Sequence, residues 1–167
     1  MEDNRTGPAG EPAGAQAGCE TSSPPRILVV EDDVDLRRLN TEVLTRSGYH
    51  VDAAEDGAAG WEALREGDYD LLITDNGMPR LTGVGLLKKL RAARMVLPVI
   101  MATAALPAHV FAQSPWLVPD ATLLKPFTSD ELLGTVEKIL RVTGGDHEAV
   151  ELLPIRRNRP SADGLRS

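Results

Sequence analysis

Short apolar runs alternate with stretches of helical periodicity along the middle of the chain, and this alternation constrains the fold more than any other feature. Five runs have the length and composition of buried strands: residues 27–30, 50–54, 71–73, 99–101 and 121–124. Between them, apolar side chains recur at helical spacing, as Leu86, Leu87 and Leu90 do. The pattern predicts a β-α unit repeated five times.

Strands that are buried on both faces and joined through helices form parallel sheets. Right-handed crossovers then place helices on both faces, so we expect an α/β chain with a doubly wound sheet. For the last helix, Ser129 is predicted as the N-cap, with Glu131 in the first turn. Ligands of such sheets bind outside the carboxyl ends of the strands, so functional side chains are expected among the residues that follow each strand.

The two ends of the chain differ from the middle in composition. Residues 1–25 contain no Leu, Ile, Val or Phe, and the sequence predicts a disordered leader there. Residues 144–167 begin with two glycines and are predicted to be a flexible tail, whose apolar residues 150–155 could dock back or bind a partner. The domain is predicted to span residues 26–143, and the 24 residues after it are too few for a DNA-binding or enzymatic output domain.

Charge and composition exclude several classes of protein. With 25 acidic and 18 basic side chains, the net charge of −7 argues against nonspecific binding of nucleic acid. A single cysteine, Cys19, excludes an intrachain disulfide and a cysteine-rich zinc site. No apolar run is long enough for a membrane span, and the start has no apolar signal-peptide core, so a cytoplasmic protein is expected.

Charged and hydroxyl side chains follow four of the predicted strands, namely Glu31, Asp32, Asp33, Asp75, Thr103 and Lys125. Any one of them is more commonly a cap or a turn residue, but parallel strands bring them all to one edge. Crowded carboxylates favour a hard cation such as Mg²⁺. A carboxylate of this kind can attack phosphorus, while a lysine and a hydroxyl neutralise the charge of the phosphoryl group.

The segment from residue 26 to residue 141 resembles the receiver domain of bacterial two-component response regulators. The matching motifs are Ile27-Leu28-Val29-Val30-Glu31-Asp32-Asp33, Thr74-Asp75-Asn76-Gly77-Met78-Pro79 with Gly83, Pro98-Val99-Ile100 leading to Thr103-Ala104, and Leu124-Lys125-Pro126-Phe127. The resemblance implies a flavodoxin-like (βα)₅ fold with strand order 2-1-3-4-5. It also implies a phosphoprotein that accepts its phosphoryl group from a sensor histidine kinase, a histidine phosphotransfer protein or a small phosphodonor, and that is not otherwise an enzyme.

The resemblance assigns roles to individual residues. Asp75 would be the phosphoacceptor. Asp32 and Asp33 would hold Mg²⁺ together with Asp75, with Asp33 the more direct ligand, and Gly77 would add its backbone carbonyl.

The remaining roles concern the ends of the fourth and fifth strands. Thr103 and Lys125 would bind phosphoryl oxygens, and the small Ala104 would leave room for the phosphoryl group. The peptide bond before Pro126 would be cis, as it is in the family.

The segment between the fourth and fifth strands departs from the family pattern. Pro107 can begin a helix, but Pro115 and Pro119 should end it, so a shortened fourth helix is predicted near residues 108–113. Trp116 is predicted to pack over the sheet in place of the missing turns, and the alternative is an exposed aromatic that binds a partner.

Three further positions lack the side chains that the family often carries. Thr122 stands where an aromatic switch residue is usual, three positions before the lysine. Gly77 and Ala105 stand where side chains often steer the hydrolytic water, and neither can do so. We therefore expect a comparatively long-lived phosphoryl group.

Three functions compete for this sequence. The favoured hypothesis is a stand-alone receiver that signals through contact with an unknown downstream protein. The alternative is a pseudo-receiver, an interaction module that keeps the fold without phosphorylation, which the replacement at Thr122 favours. A hydrolytic phosphatase with an aspartyl nucleophile is disfavoured, because Gly77 stands where its second aspartate would be.

Overall fold

A computed structural model of the protein describes residues 23–145. The elements alternate along this range, with a short 3₁₀ turn at Pro115–Leu117 before the last strand: β1 (Arg26–Val30), α1 (Val34–Arg46), β2 (His50–Ala54), α2 (Gly57–Glu66), β3 (Leu71–Thr74), α3 (Gly83–Ala92), β4 (Val99–Thr103), α4 (Ala108–Gln113), β5 (Ala121–Leu124) and α5 (Ser129–Gly145). Most of the predicted leader and tail lies outside the described residues, although α5 continues two residues past the predicted boundary at 143.

All strand pairs in the sheet are parallel, and the strand order is β2-β1-β3-β4-β5. The predicted α/β class and the flavodoxin-like order 2-1-3-4-5 are therefore confirmed. Among the helices of residues 23–145, none combines the length and the apolar character that crossing a membrane requires.

Successive residues of β1 point to opposite faces of the sheet and build two separate cores. Leu28 and Val30 pack in the core formed with α2, α3 and the 3₁₀ turn. Ile27 and Val29 pack in the core formed with α1 and α5. All four side chains are at most 1% exposed, which explains why the strand is a continuous apolar run instead of an alternating one.

The beginning of α5 differs by one residue from the sequence prediction. Ser129 is the first helical residue, and the cap is Thr128. The Thr128 hydroxyl accepts a hydrogen bond from the Glu131 N–H at 3.2 Å, and the Glu131 carboxylate accepts one from the Thr128 N–H at 2.7 Å. This reciprocal pair is a capping box, and the spacing of threonine and glutamate in the sequence is its usual signature.

The fourth helix is short, as the prolines predict, but the role expected for Trp116 is wrong. Helix α4 covers Ala108–Gln113, and Pro115 opens the 3₁₀ turn that follows. Trp116 is 67% exposed, whereas its neighbour Leu117 is 1% exposed and belongs to the core of α2 and α3. A 3₁₀ turn has three residues per turn, so only one of the three side chains can face the sheet, and here it is Leu117.

We expect Leu117→Ala to lower the free energy of unfolding by about 2–5 kcal/mol, because it leaves a cavity in a packed core. Trp116→Ala should lower it by about 1 kcal/mol or less, because the indole is mostly exposed. Urea titrations of the two variants measure both values. A larger loss for Trp116→Ala would contradict the placement of Leu117 as the core residue of this turn.

Candidate functional site

The register of β1 and β3 brings acidic residues together at the carboxyl edge of the sheet. Val30 pairs with Thr74, and the next residues, Glu31 and Asp75, leave the sheet side by side. One carboxylate oxygen from each of Glu31, Asp32 and Asp75 lies within 4.8 Å of the other two. Carboxylate oxygens at this spacing fit a hard divalent cation such as Mg²⁺, which accepts few protein ligands.

Lys125 reaches the same edge from β5. The strand pairs with β4 so that Thr103 lies opposite Leu124, and Lys125 follows directly. The Lys125 Nζ donates hydrogen bonds to Glu31 Oε2 at 2.7 Å and to Asp75 Oδ2 at 3.0 Å. The acidic groups are nearly buried, with side chains 3% and 11% exposed, so this ammonium is their immediate counter-charge.

The loop after β3 fixes the orientation of the Asp75 carboxylate. Asp75 Oδ1 accepts hydrogen bonds from the N–H groups of Asn76, at 2.5 Å, and Gly77, at 3.1 Å. The Asn76 side chain accepts in turn from the Val84 N–H at 3.1 Å. Gly83 packs so closely that a Cβ there would collide with the Asp75 carbonyl, which explains the glycine of the motif.

Burial and hydrogen bonding shift the ionisation of the clustered groups in different directions. Burial raises the pKa of the Glu31 carboxyl above its usual value, and the hydrogen bond from Lys125 offsets only part of that rise. Burial also acts to raise the pKa of Asp75, but bonds from Lys125 and the Gly77 N–H outweigh it, and the net pKa is lowered. The pKa of Lys125 is raised, because hydrogen bonds to both carboxylates outweigh burial. Asp75 is thus held as a carboxylate and Lys125 as an ammonium.

Asp33, predicted as the more direct metal ligand, does not join the cluster. Its Oδ1 accepts hydrogen bonds at 3.0 Å from the N–H groups of Asp35 and Leu36, and it is the N-cap of α1. Glu31, which was not predicted as a ligand, takes the place beside Asp32. An aspartate immediately before a helical stripe is a cap signature, and that signal could have separated Asp33 from the other two acids.

Thr103 and Ala104 lie at the same edge of the sheet. Thr103 is buried at the end of β4, and its hydroxyl donates to the Ala105 carbonyl at 3.4 Å. Ala104 is exposed beside it. The Lys125–Pro126 peptide bond is cis, as the resemblance implied, and Thr122 is exposed on β5.

Comparison with known proteins identifies the family. A family model described as the response regulator receiver domain matches residues 27–137. The response regulator receiver protein CpdR of Brucella abortus is 36% identical over 118 residues, which are 69% of this chain and 96% of CpdR. The transcriptional regulatory protein RprY of Bacteroides fragilis is 36% identical over 72% of this chain, and the chain spans about half of its length, 51%.

Solved structures show the same likeness. The CheY-like receiver domain of Methanospirillum hungatei superimposes with a TM-score of 0.69 at 26% identity, covering 74% of this chain and 98% of that one. The response regulator TrrA of Thermotoga maritima, solved in complex with Mg²⁺-BeF, gives a TM-score of 0.62 at 34% identity over 69% of this chain and 98% of TrrA. The chain belongs to the response regulator receiver domain family.

Proposed function

We propose that the protein accepts a phosphoryl group on Asp75 and acts in a phosphorelay. The observation that carries the proposal is the state of this carboxylate, which is fixed by two backbone N–H groups and kept ionised beside Lys125. The donor would be a phosphohistidine of a sensor kinase or of a histidine phosphotransfer protein, or a small phosphodonor such as acetyl phosphate.

The transfer needs no general base, because the nucleophile is already a carboxylate. One Asp75 oxygen forms a bond to phosphorus while the bond from phosphorus to the imidazole nitrogen, or to the acetate oxygen of the small donor, breaks. Lys125 and the Thr103 hydroxyl would bind the phosphoryl oxygens and offset their charge. Ala104, exposed next to Thr103, would leave space for the group.

The acidic cluster supports a role for Mg²⁺, which when bound neutralises charge on the transferred phosphoryl group. Glu31, Asp32 and Asp75 would hold the ion, since their oxygens already lie within 4.8 Å of one another. The Gly77 carbonyl remains a proposed ligand from the family resemblance. Asp33 is left out of this set, because its carboxylate caps α1.

The output is proposed to be contact with a downstream protein, through an apolar surface of this chain that carries few charges. Residues 104–124 contain no Lys, Arg or Glu and one Asp, although 26% of the chain is charged. On this segment Trp116, Val118 and Leu124 are 67%, 49% and 55% exposed. Exposed aromatic and apolar side chains without charges are typical of the centres of protein interfaces, which supports the proposal.

The wild-type protein should gain a single adduct of about 80 Da, the mass of one phosphoryl group, after incubation with acetyl phosphate and Mg²⁺. Asp75→Asn should abolish the adduct, because an amide is not a nucleophile towards phosphorus. Intact-mass measurement reads the result, and Asp130→Asn, an exposed acid on α5, is the matched control. A folded wild type that gains no adduct would favour the interaction module that keeps the fold without phosphorylation.

Gly77→Gln should shorten the lifetime of the phosphorylated form by about tenfold. This change in rate is smaller than the one that a general base typically gives. A Cβ at residue 77 would lie 3.9 Å from Asp75 Oδ2, so a side-chain amide there could position the attacking water. The decay of the mass adduct after removal of the donor measures the lifetime. Gly134→Gln, in open space on α5, serves as control, and equal lifetimes of all three proteins would refute the explanation.

Glu31→Gln should raise the free energy of unfolding relative to wild type at pH 7, and the gain should shrink as the pH falls towards 4. Burial raises the pKa of Glu31 in the folded protein above its pKa in the unfolded chain. As the pH rises through these two pKa values, Glu31 loses its proton and the folded state loses stability. Below both pKa values, Glu31 of the wild type is protonated, and the free-energy cost of ionising it disappears. Urea titrations without divalent ions measure the trend, with the exposed Glu66→Gln as control, and a gain that grew at low pH would contradict it.

A further inference from the structure

The three clustered acids are held in two different ways. Glu31 and Asp75 are nearly buried, and their carboxylates accept hydrogen bonds from Lys125. Asp32 is exposed, and within residues 23–145 its carboxylate is held neither by Lys125 nor by the first turn of α1, whose N–H groups bond to Asp33. Among the contacts of the described residues, it is therefore the backbone of Asp32 that sets where its side chain leaves the chain.

Arg37 fixes that backbone from the first turns of α1. Its Nη1 donates hydrogen bonds to the carbonyl oxygen of Glu31 at 2.7 Å and to that of Asp32 at 3.3 Å. These two carbonyls belong to the planar peptide groups immediately before and after Asp32. A donor shared between them restricts how one plane can rotate against the other, which limits φ and ψ of Asp32 and hence the direction of its Cα–Cβ bond.

We propose that Arg37 is a positioning residue that aims the Asp32 carboxylate into the cation site. This role rests on the metal site of the proposed function. The guanidinium bonds to carbonyl oxygens and not to the carboxylate, so it orients Asp32 and leaves both carboxylate oxygens free for a cation. Such charge-assisted hydrogen bonds are the stronger class, which suits a residue that must hold an exposed loop.

Positioning and electrostatics predict opposite signs for the loss of Arg37. Removing a positive charge near a cation site strengthens cation binding if the charge acts only through space. Removing the group that aims a ligand weakens cation binding, as loss of groups that orient metal ligands generally does. The next residue, Arg38, is exposed, and Arg38→Gln makes the same change in net charge without touching the two carbonyls.

The test compares Arg37→Gln, Arg38→Gln and Arg37→Lys in the full chain by calorimetric titration with Mg²⁺ alone. Arg37→Gln should weaken Mg²⁺ binding by about tenfold, the low end for groups that orient metal ligands. Arg38→Gln should bind as tightly as wild type or more tightly. Arg37→Lys, which keeps the charge and one donor, should recover most of the affinity. The Arg37→Gln protein should regain the wild-type rate of phosphorylation by acetyl phosphate at saturating Mg²⁺, which a general structural defect would not allow.

Equal or tighter Mg²⁺ binding by Arg37→Gln overturns the positioning role and leaves the metal site intact. A folded wild type that binds no Mg²⁺ overturns the metal site itself, and the role of Arg37 with it. If Arg37→Gln fails to fold, Arg37→Met, which keeps the aliphatic stem and removes both the charge and the donors, decides the question. Weaker Mg²⁺ binding than that of Arg38→Gln supports the role, and equal or tighter binding overturns it.

Discussion

The ion pairs of Lys125 with Glu31 and Asp75 offset part of the repulsion between the acidic side chains at the carboxyl edge of the sheet. The three carboxylates and the one ammonium carry a net formal charge of −2, which one divalent cation would neutralise. Pairs on the surface contribute little, but here burial makes each charge costly and the geometry of its partner decisive. Burial acts to raise the pKa of both carboxyls. Hydrogen bonds outweigh it at Asp75, whose pKa is lowered, but not at Glu31, whose pKa is raised.

That edge was predictable because the sheet admits few arrangements. Strands that bury both faces can present polar residues only where they end, and parallel strands end together. The positions of Asp75, Thr103 and Lys125 at one edge therefore follow from the order of the residues alone, and the register of the strands places them there. The bounds of α4 were predictable for a different reason, since Pro115 removes the backbone donor that a longer helix would need.

At three positions the structure places a neighbouring residue where the sequence prediction puts another, and in each case the two lie one or two positions apart in the chain. Asp33 caps α1 while Glu31 joins the acids, Thr128 instead of Ser129 caps α5, and Leu117 instead of Trp116 faces the core. Each time, two nearby residues have chemistry that suits one position, and where the turn of helix begins decides which of them occupies it. Composition and period locate an element, but its first residue is set by short-range hydrogen bonds, such as those to the Asp33 carboxylate.

The same reasoning explains why residue type alone does not reveal how Lys125 and Arg37 act. Both are cations beside the acids, yet Lys125 bonds to carboxylate oxygens and Arg37 to backbone carbonyls. A side-chain cation bonded to a carboxylate occupies an oxygen that could otherwise bind a metal ion or a phosphoryl group. When a metal ion or phosphoryl group binds that oxygen, the side-chain cation has to share it. A cation bonded to the carbonyls on either side of an acid constrains that acid and leaves both of its carboxylate oxygens free. The exposed acid, Asp32, is the one held in this second way, so of the three clustered carboxylates its oxygens are the least committed to partners within the protein.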